Sequence, residues 1–330
     1  SPSVVGGVPL PRLTVNRSSP VTRDEGTPTT TSRSCASSRI RLRLPAFFSF
    51  CFLLCVVLSD FAAPSADAQP YRIEPPVANS PEWTVDPAFK HDVFTFARVR
   101  YSSYSEGRRR RFRSGLGDGG ARWSTDFPDA ELNLSFRLQQ MTSLKVNPQP
   151  VAIDLTPADL AKHPFIYIVE PGEMILSDDE VTALRRYLLN GGFLMVDDFW
   201  GQDEWDHFYE QIKRVFPERE PTELPLEHPI FHCVFDLKEK PQVLSIHAAA
   251  RSYYMGSETP RERPRDPTAW DVHYRALFDD KGRMMAIICH NTDLGDGWER
   301  EGLDESYFRE YSEKKAYPIA INIVFYAMTH

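Results

Sequence analysis

Cysteine is scarce in this sequence, which has five among 330 residues. Cys35, Cys51 and Cys55 lie close to the beginning, and only Cys233 and Cys289 follow them. Two cysteines do not make the disulfide framework that stabilises small secreted domains. Because both lie within apolar runs, we expect them to be buried thiols that pack as small hydrophobic side chains.

Positive charge and long apolar runs are also limited. The chain has 38 Lys and Arg against 46 Asp and Glu, a net charge of -8, which argues against a general nucleic-acid-binding surface. The apolar run over residues 44–58 is shorter than the roughly 20 residues that span a bilayer. Three arginines precede it within residues 39–43, and Ala66 and Ala68 follow it. This is the order of a secretory signal peptide.

The sequence therefore divides into four segments. Residues 1–38, rich in Ser, Thr, Pro and Arg, are predicted to be a disordered leader or the product of a gene start placed too far upstream. Residues 39–68 are predicted to be a signal peptide, with an N-terminal membrane anchor through residues 44–63 as the alternative. Residues 69–92 contain several prolines and are predicted to be a linker. The folded domain is predicted over residues 93–330, exported to the periplasm or facing it from an anchor.

Strand and helix signals alternate in the first half of this domain. Residues 164–170 form a continuous apolar run, which is typical of a buried parallel strand. Ser177 and Glu180 form a capping box that predicts the start of a helix, and Asn190-Gly191-Gly192 predicts its end. A second buried strand is predicted over residues 193–196. This order predicts a parallel sheet with helices on both faces.

The second half predicts an addition to that sheet. Residues 274–278 and 284–290 are predicted strands, joined by a hairpin turn with Gly282 in the left-handed conformation. Residues 243–247 are predicted to be another strand, and the charged segment 251–267 a surface loop. We therefore expect a three-layer α/β domain with a parallel sheet and an added antiparallel hairpin.

The segment LSDDEVTALRRYLLNGGFLMVDD, residues 176–198, resembles the class I glutamine amidotransferase-like fold. Residues 93–330 resemble more closely a bacterial family, the domain of unknown function numbered 4159. The motifs that carry this resemblance are NGGFLMVDDFWG (190–201), HPIF (228–231), HNTDLGDGWE (290–299) and NIVFYAMTH (322–330). The resemblance implies a flavodoxin-like, amidotransferase-like domain on an exported or membrane-linked protein, and no established reaction.

Enzymes of the amidotransferase-like fold use a cysteine on a tight turn between a strand and a helix, with glycines around it. Here the corresponding strand ends in Asp197 and Asp198, and the turn that follows, Phe199-Trp200-Gly201, has no cysteine. Neither Cys233 nor Cys289 has a glycine neighbour. We therefore expect no cysteine-dependent amide hydrolysis.

Polar side chains follow two of the predicted strands. His290, Asp293 and Asp296 are candidate ligands of a divalent cation, since carboxylates suit Ca²⁺ or Mg²⁺ and imidazole suits a transition metal. The alternative is a turn whose polar side chains bond its own backbone. Asp198 and His290 are the candidate catalytic residues. Candidates for binding another ligand are Asp197, Asn291, Trp298 and His228.

Without the cysteine turn, the sequence favours a non-enzymatic binding or scaffolding domain at the cell envelope. The alternative is a metal-assisted hydrolase that acts on a glycan or another envelope substrate. A divalent metal is the one cofactor that the sequence suggests. The expected partner is an envelope protein or a small-molecule ligand and not a nucleic acid, and residues 44–63 would bring the domain near a membrane.

Overall fold

The computed structural model describes residues 83–89, 92–104 and 121–330. The predicted leader, the predicted signal peptide or anchor, and most of the predicted linker lie outside these residues. Within the described ranges, none of the helices is both long enough and apolar enough to cross a membrane.

The described chain alternates strands and helices. The strands are β1 (Ala97–Arg100), β2 (Ser102–Ser103), β3 (Val151–Asp154), β4 (Phe165–Val169), β5 (Met174–Ile175), β6 (Phe193–Asp197), β7 (Thr222–Glu223), β8 (His273–Phe278) and β9 (Met284–His290). The helices are α1 (Asp129–Met141), α2 (Pro157–Leu160), α3 (Asp178–Leu189), α4 (Gly201–Val215), α5 (Ile246–Tyr254), α6 (Leu294–Glu299), α7 (Glu305–Tyr307) and α8 (Tyr317–Thr329). A π-helix, Phe308–Ala316, joins α7 to α8.

Seven strands form one sheet in the order β3-β1-β4-β6-β9-β8-β7. The first five in that order run parallel, and β8 and β7 continue the sheet antiparallel. Strands β2 and β5 form a separate antiparallel pair. Along the chain, the parallel strands have the flavodoxin-like order, in which the direction of winding reverses between β1 and β4. The predicted fold class, a parallel α/β sheet with an antiparallel hairpin, is confirmed.

Two hydrophobic cores lie on opposite faces of the sheet. In β4, Phe165, Tyr167 and Val169 belong to the core that contains side chains of α1, α6 and α8. Ile166 and Ile168 belong to the other core, with side chains of α3 and α4. Successive residues of a strand point to opposite faces, so an unbroken apolar run indicates a strand that is covered on both.

The boundaries of α3 follow the predicted capping signals. The Ser177 hydroxyl accepts a hydrogen bond from the Glu180 N–H at 3.3 Å, and the Glu180 carboxylate accepts one from the Ser177 N–H at 2.7 Å. The helix ends before Gly191, whose φ is +105°. Gly282, in the turn between β8 and β9, has a φ of +81°, as the hairpin prediction requires.

The strand predicted over residues 243–247 is wrong. Helix α5 begins at Ile246, and the Ser245 hydroxyl caps it by accepting a hydrogen bond from the Ala248 N–H at 3.2 Å. Three successive alanines favour helix in its first turns, and they outweigh a short apolar run that suits either structure. The same helix includes residues 251–254, so the prediction of a loop over the whole segment 251–267 is wrong at its beginning.

Candidate metal centre

The carboxyl ends of the neighbouring parallel strands β6 and β9 lie beside a group of acids, four of them buried and two, Asp126 and Asp198, partly buried. We call this group the acid cluster; its members are Asp126, Asp197, Asp198, Asp293, Asp296 and Glu299. They come from the loop before α1, from the end of β6, and from the segment that follows β9. Ligands of open α/β sheets bind at this edge, beyond the carboxyl ends of the strands.

The two strand ends are tied to each other by backbone hydrogen bonds. Asp198 and Asn291 both have left-handed backbones, with φ of +58° and +60°. The Asp198 N–H donates to the Thr292 carbonyl at 3.1 Å, and the Asn291 N–H donates to the Phe199 carbonyl at 2.9 Å. This conformation costs an ordinary L-residue roughly 1–2 kcal/mol, and Asp and Asn adopt it more easily than most residues. The chain is thus turned sharply at both strand ends.

The side chain of Asn291 supports these turns. Its carbonyl oxygen accepts a hydrogen bond from the Gly201 N–H at 2.8 Å, and its amide donates to the carbonyls of Thr268 and Asp271 at 2.8 and 2.7 Å. Asn291 was a candidate for ligand binding. In the structure its amide group holds the first residue of α4 and a neighbouring loop.

Asp197 lies fully buried beneath the first turn of α6. Its Oδ2 accepts hydrogen bonds from the N–H groups of Leu294 and Gly295, at 2.8 and 3.1 Å, and from the Tyr167 hydroxyl at 3.2 Å. Its Oδ1 has no hydrogen-bond partner among the described residues. Burial raises the pKa of Asp197 to about 7, although these donors favour the ionised form.

Asp293 and Asp296 shape the segment after β9. The Asp293 carboxylate caps α6 by accepting a hydrogen bond from the Asp296 N–H at 2.8 Å. The Asp296 carboxylate accepts hydrogen bonds from the Ile246 N–H at 2.6 Å and from Arg300 Nε at 2.9 Å. Asp293 is therefore the N-cap of a short helix and Asp296 lies in its first turn. The sequence had left a metal site and a turn as alternatives for this segment.

Three carboxylates have the spacing of a cation site. Asp126, Asp296 and Glu299 each offer one oxygen, and these oxygens all lie within 4.8 Å of one another. Oxygen ligands lie about 2.3–2.6 Å from Ca²⁺, so two ligands of one ion are up to about 5 Å apart. A Cβ atom on Gly295 would lie 2.8 Å from Asp126 Oδ2, so the missing side chain there lets the Asp126 carboxylate approach α6.

The protonation of the acid cluster is strongly perturbed. Burial, followed by repulsion from Glu299 and Asp296, raises the pKa of Asp126 well above its ordinary value. Burial also raises the pKa values of Asp198 and Asp293, and neighbouring acids add to both shifts. Burial raises the pKa of Glu299 to about 7 even though an arginine lies beside it. The acid cluster therefore contains more carboxyl groups than nearby positive charges can stabilise in the ionised form.

Arg98, on β1, holds the loop that carries Asp126. Its Nε donates to Glu131 Oε1 at 2.6 Å, and both side chains are completely buried. Its Nη1 donates to the carbonyls of Trp123 and Thr125, at 2.9 and 2.7 Å, immediately before Asp126. Arg98 therefore positions the loop that carries Asp126.

His290 lies outside the set formed by Asp126, Asp296 and Glu299. Its Nε2 is 3.0 Å from the Gly201 carbonyl, and its Nδ1 is 3.2 Å from Arg275 Nη1. The carbonyl requires a proton on Nε2, which leaves Nδ1 to accept the bond from the arginine. Burial lowers the pKa of His290 to about 3, so the ring is neutral, and both of its nitrogens are engaged.

The two remaining candidates pack within the fold. The Trp298 indole is completely buried, and its ring centroid lies 5.9 Å from that of Tyr167. His228 Nδ1 accepts a hydrogen bond from the Ile230 N–H at 3.2 Å, and its ring centroid is 5.5 Å from that of Tyr326. The contacts of His228 are thus those of a residue that caps a short helical turn.

Three residues of the site were not singled out from the sequence. Glu299 has a recognisable signal, because it lies three residues after Asp296 and so shares a face of α6 with it. Asp126 and Arg98 have none, since they meet the segment after β9 only through the tertiary fold.

No curated protein shows significant similarity to this chain. One family model matches residues 95–328, which covers β1 to β9 and ends within α8. The match includes every strand of the sheet and all six members of the acid cluster. The chain therefore belongs to the family described as Domain of unknown function (DUF4159).

Proposed function

We propose that this domain binds a hard divalent cation, such as Ca²⁺, Mg²⁺ or Mn²⁺, between Asp126, Asp296 and Glu299. The observation that carries the proposal is the convergence of three carboxylate oxygens within 4.8 Å of one another. A ligand set made only of oxygens suits these ions, whereas imidazole and thiolate ligands would favour other metals. Binding is then the main role of the domain, in the exported location that residues 39–68 predict.

The charge balance of the site supports a bound cation. Arg300 contacts both Asp296 and Glu299, at 2.9 and 2.8 Å, while the guanidinium of Arg98 already pairs with Glu131. Buried carboxylates without a cationic partner are costly, so they either take up protons or bind a cation. A divalent ion would add two positive charges to a site where Arg300 contacts two of the three carboxylates.

Removing one of the three ligands should weaken cation binding. We expect the full chain to bind about one Ca²⁺, Mg²⁺ or Mn²⁺ at pH 8 in isothermal titration calorimetry. Asp126→Asn and Glu299→Gln should each reduce the affinity about tenfold or more, which corresponds to about 1.4 kcal/mol. The control is Glu239→Gln, which alters an exposed carboxylate outside the acid cluster. The proposal fails if the native chain binds none of these ions at millimolar concentration, or if the control weakens binding equally.

The amidotransferase-like fold is part of the same proposal. The flavodoxin-like order of the parallel strands supports it. So does the sharp turn at Asp198, between β6 and α4, where enzymes of that fold carry their cysteine. An aspartate in this place leaves a carboxylate beside the cation site instead of a thiol nucleophile.

A metal-assisted hydrolase is the second candidate, and Asp198 is the residue that favours it. Asp198 lies beside the three ligands, and burial together with repulsion from Glu170 raises its pKa well above the ordinary value of an aspartate. A carboxylate whose pKa is raised is a candidate general base. A divalent cation would lower the pKa of a nearby water and polarise the bond under attack. Asp198 would then accept a proton from the attacking water.

Asp198→Asn separates this candidate from simple cation binding. If the domain is a hydrolase, the full chain should cleave p-nitrophenyl glycosides or esters in a reaction that EDTA abolishes. Loss of a general base should then lower the rate about 10²–10⁴-fold, with the cation affinity retained. A native chain without EDTA-sensitive turnover on either substrate class would leave cation binding in place and remove the hydrolase.

A further inference from the structure

The structure has a groove lined with tyrosines, and none of the three proposed cation ligands is among its lining residues. It has a volume of about 760 Å³, which is within the usual range for ligand pockets. Its lining includes Tyr253 and Tyr254, at the end of α5, and Tyr307 and Tyr311, from α7 and the π-helix after it. The rings of the second pair stack, with their centroids 5.0 Å apart. We call this feature the tyrosine groove.

The part of the tyrosine groove at the end of α5 is unusually exposed. Tyr253 and Tyr254 are each 83% exposed, and the adjacent Met255 is 76% exposed. The next most exposed large hydrophobic side chain in the described chain is Tyr104, at 58%. Neighbouring exposed apolar side chains of this size usually mark a binding surface, because packing within the domain does not require them.

The tyrosine groove shares a wall with the acid cluster. Ile246 lines the groove, and its N–H donates to Asp296 Oδ2 at 2.6 Å. Tyr307, which also lines the groove, lies close enough to Asp296 and Asp293 to interact electrostatically with them. The Tyr307 hydroxyl is occupied by a hydrogen bond to the Leu244 carbonyl at 2.7 Å, so its ring is held in place.

The lining disfavours an anionic ligand. Its charged residues are Asp304 and Glu310, its other polar groups are serine and tyrosine hydroxyls, and Lys, Arg and His do not occur among the lining residues. Nucleic acid, phosphorylated compounds and acidic polysaccharides would therefore meet repulsion and no compensating cation.

A cationic ligand is also disfavoured, because the features that would attract it are already engaged. Glu310 pairs with Lys314 at 2.9 Å, and the Asp304 carboxylate accepts a hydrogen bond from the Tyr307 N–H at 2.7 Å. Lys315 Nζ lies 5.1 Å from the centre of the Tyr311 ring, within the range of a cation–π contact. The groove therefore offers a ligand mainly exposed aromatic surface, with carboxylate oxygens and hydroxyl groups around it.

We propose that the tyrosine groove binds a neutral glycan, whose sugar rings stack on Tyr253 and Tyr254. Its hydroxyl groups donate to Asp304 Oδ2 and Glu310 Oε1, the carboxylate oxygens that the Tyr307 N–H and Lys314 do not contact. The apolar C–H face of a sugar ring matches an exposed tyrosine ring, and its hydroxyls match carboxylate acceptors. The inference goes beyond cation binding, and a bound glycan would lie next to the acid cluster.

Calorimetry on the full chain tests the groove with three neutral probes: cellohexaose, maltohexaose and the hexamer of N-acetylglucosamine. At least one is expected to bind saturably. Tyr253→Ala and Tyr254→Ala should each weaken that binding about tenfold, since each removes a ring on which a sugar stacks. Both residues are exposed, so the substitutions should leave the fold intact. Tyr104→Ala is the matched control, and it should bind like the native chain.

The titrations are run with 5 mM CaCl₂ and with EDTA, as separate arms. Glycan binding that persists in EDTA with the same variant pattern supports the groove even if the cation proposal fails. The groove proposal is overturned if no probe binds, or if Tyr104→Ala weakens binding equally. It is also overturned if tetramethylammonium binds with this variant pattern. A native dimer in light scattering that Tyr254→Ala makes monomeric would assign the exposed tyrosines to a second copy of the chain, and overturn it too.

Discussion

Arg98→Met should destabilise the domain by about 3–5 kcal/mol, because it leaves Glu131 buried without a cationic partner. The two side chains form a completely buried ion pair at 2.6 Å. The substitution also removes the hydrogen bonds that Arg98 donates to the carbonyls of Trp123 and Thr125. Urea unfolding of the full chain, followed by tryptophan fluorescence, measures the loss as a fall in the transition midpoint.

Arg100→Met is the matched control, since it removes an arginine of the same strand that pairs with Asp154 at 2.8 Å. This pair is about half exposed, with side-chain exposures of 41% and 54%, so its loss should cost about 1 kcal/mol or less. Equal costs for the two arginines would contradict the assignment of a buried, critical pair.

A double variant separates the two roles of Arg98. Arg98→Met with Glu131→Leu replaces the pair by apolar side chains, and most of the lost stability should return. The cation affinity should remain low, because the loop that carries Asp126 still lacks its two hydrogen bonds. Recovery of both properties together would mean that Arg98 supports the fold and does not position the site.

The second large effect is a loss of stability as the pH rises in the absence of divalent cations. The pKa values of Asp197 and Glu299 are about 7 in the folded chain, against about 3.9 and 4.3 for unfolded Asp and Glu. Between these values the folded state binds more protons than the unfolded state, so the free energy of unfolding falls with rising pH. The contribution is fully present below about pH 4 and is lost through about pH 7. For Asp197, which is fully buried, it is on the order of 4 kcal/mol.

Two other acids make the free energy of unfolding rise with pH, and they do so at lower pH. Hydrogen bonds from Arg185 hold the pKa of Glu218 at about 2, and partners including His273 and Lys240 outweigh burial to hold that of Glu223 at about 2. Their contribution to stability is present above about pH 4.5 and is lost as the pH falls below that value. Burial lowers the pKa of His290 to about 3, so below about pH 6.5 the unfolded state binds a proton at this residue that the folded state does not, and this contribution to stability also rises with pH. The decline expected above about pH 6.5 therefore reports the acid cluster.

Urea unfolding in EDTA at pH 5, 6, 7 and 8 measures this decline. Asp197→Asn should flatten it, because the variant no longer exchanges that proton. Calcium at about 100 times its dissociation constant should restore about 2.7 kcal/mol at pH 8. Stability that does not fall between about pH 6.5 and pH 8 in EDTA would contradict the raised pKa values.

Local signals in the sequence predicted most of the fold. The capping box at Ser177, Gly191 after α3 and the apolar runs of β4 and β6 each carry their structural information within a few residues. The error at residues 243–247 arose because five residues are too few to distinguish a strand from the first turn of a helix. Such a segment is decided by its cap and by the packing around it.

The site was only partly predictable, for a different reason. Asp293 and Asp296 could be proposed as ligands because they lie close together after an apolar strand. Asp126 joins them through the fold alone, from a loop positioned by a buried arginine. His290 has the right residue type, but the Gly201 carbonyl and a neighbouring arginine occupy both of its nitrogens. No local sequence pattern shows that both nitrogens of a histidine will be hydrogen-bonded to residues distant in the chain.

The hydrogen bond between the Ile246 N–H and Asp296 Oδ2 joins the first turn of α5 to a proposed cation ligand. The same helix ends in the exposed tyrosines of the groove. A cation bound at Asp296 would weaken or reorient that bond, and a ligand that moved α5 would change the position of the Asp296 carboxylate. Any coupling that results is reciprocal: the factor by which a cation alters glycan affinity is the factor by which the glycan alters cation affinity.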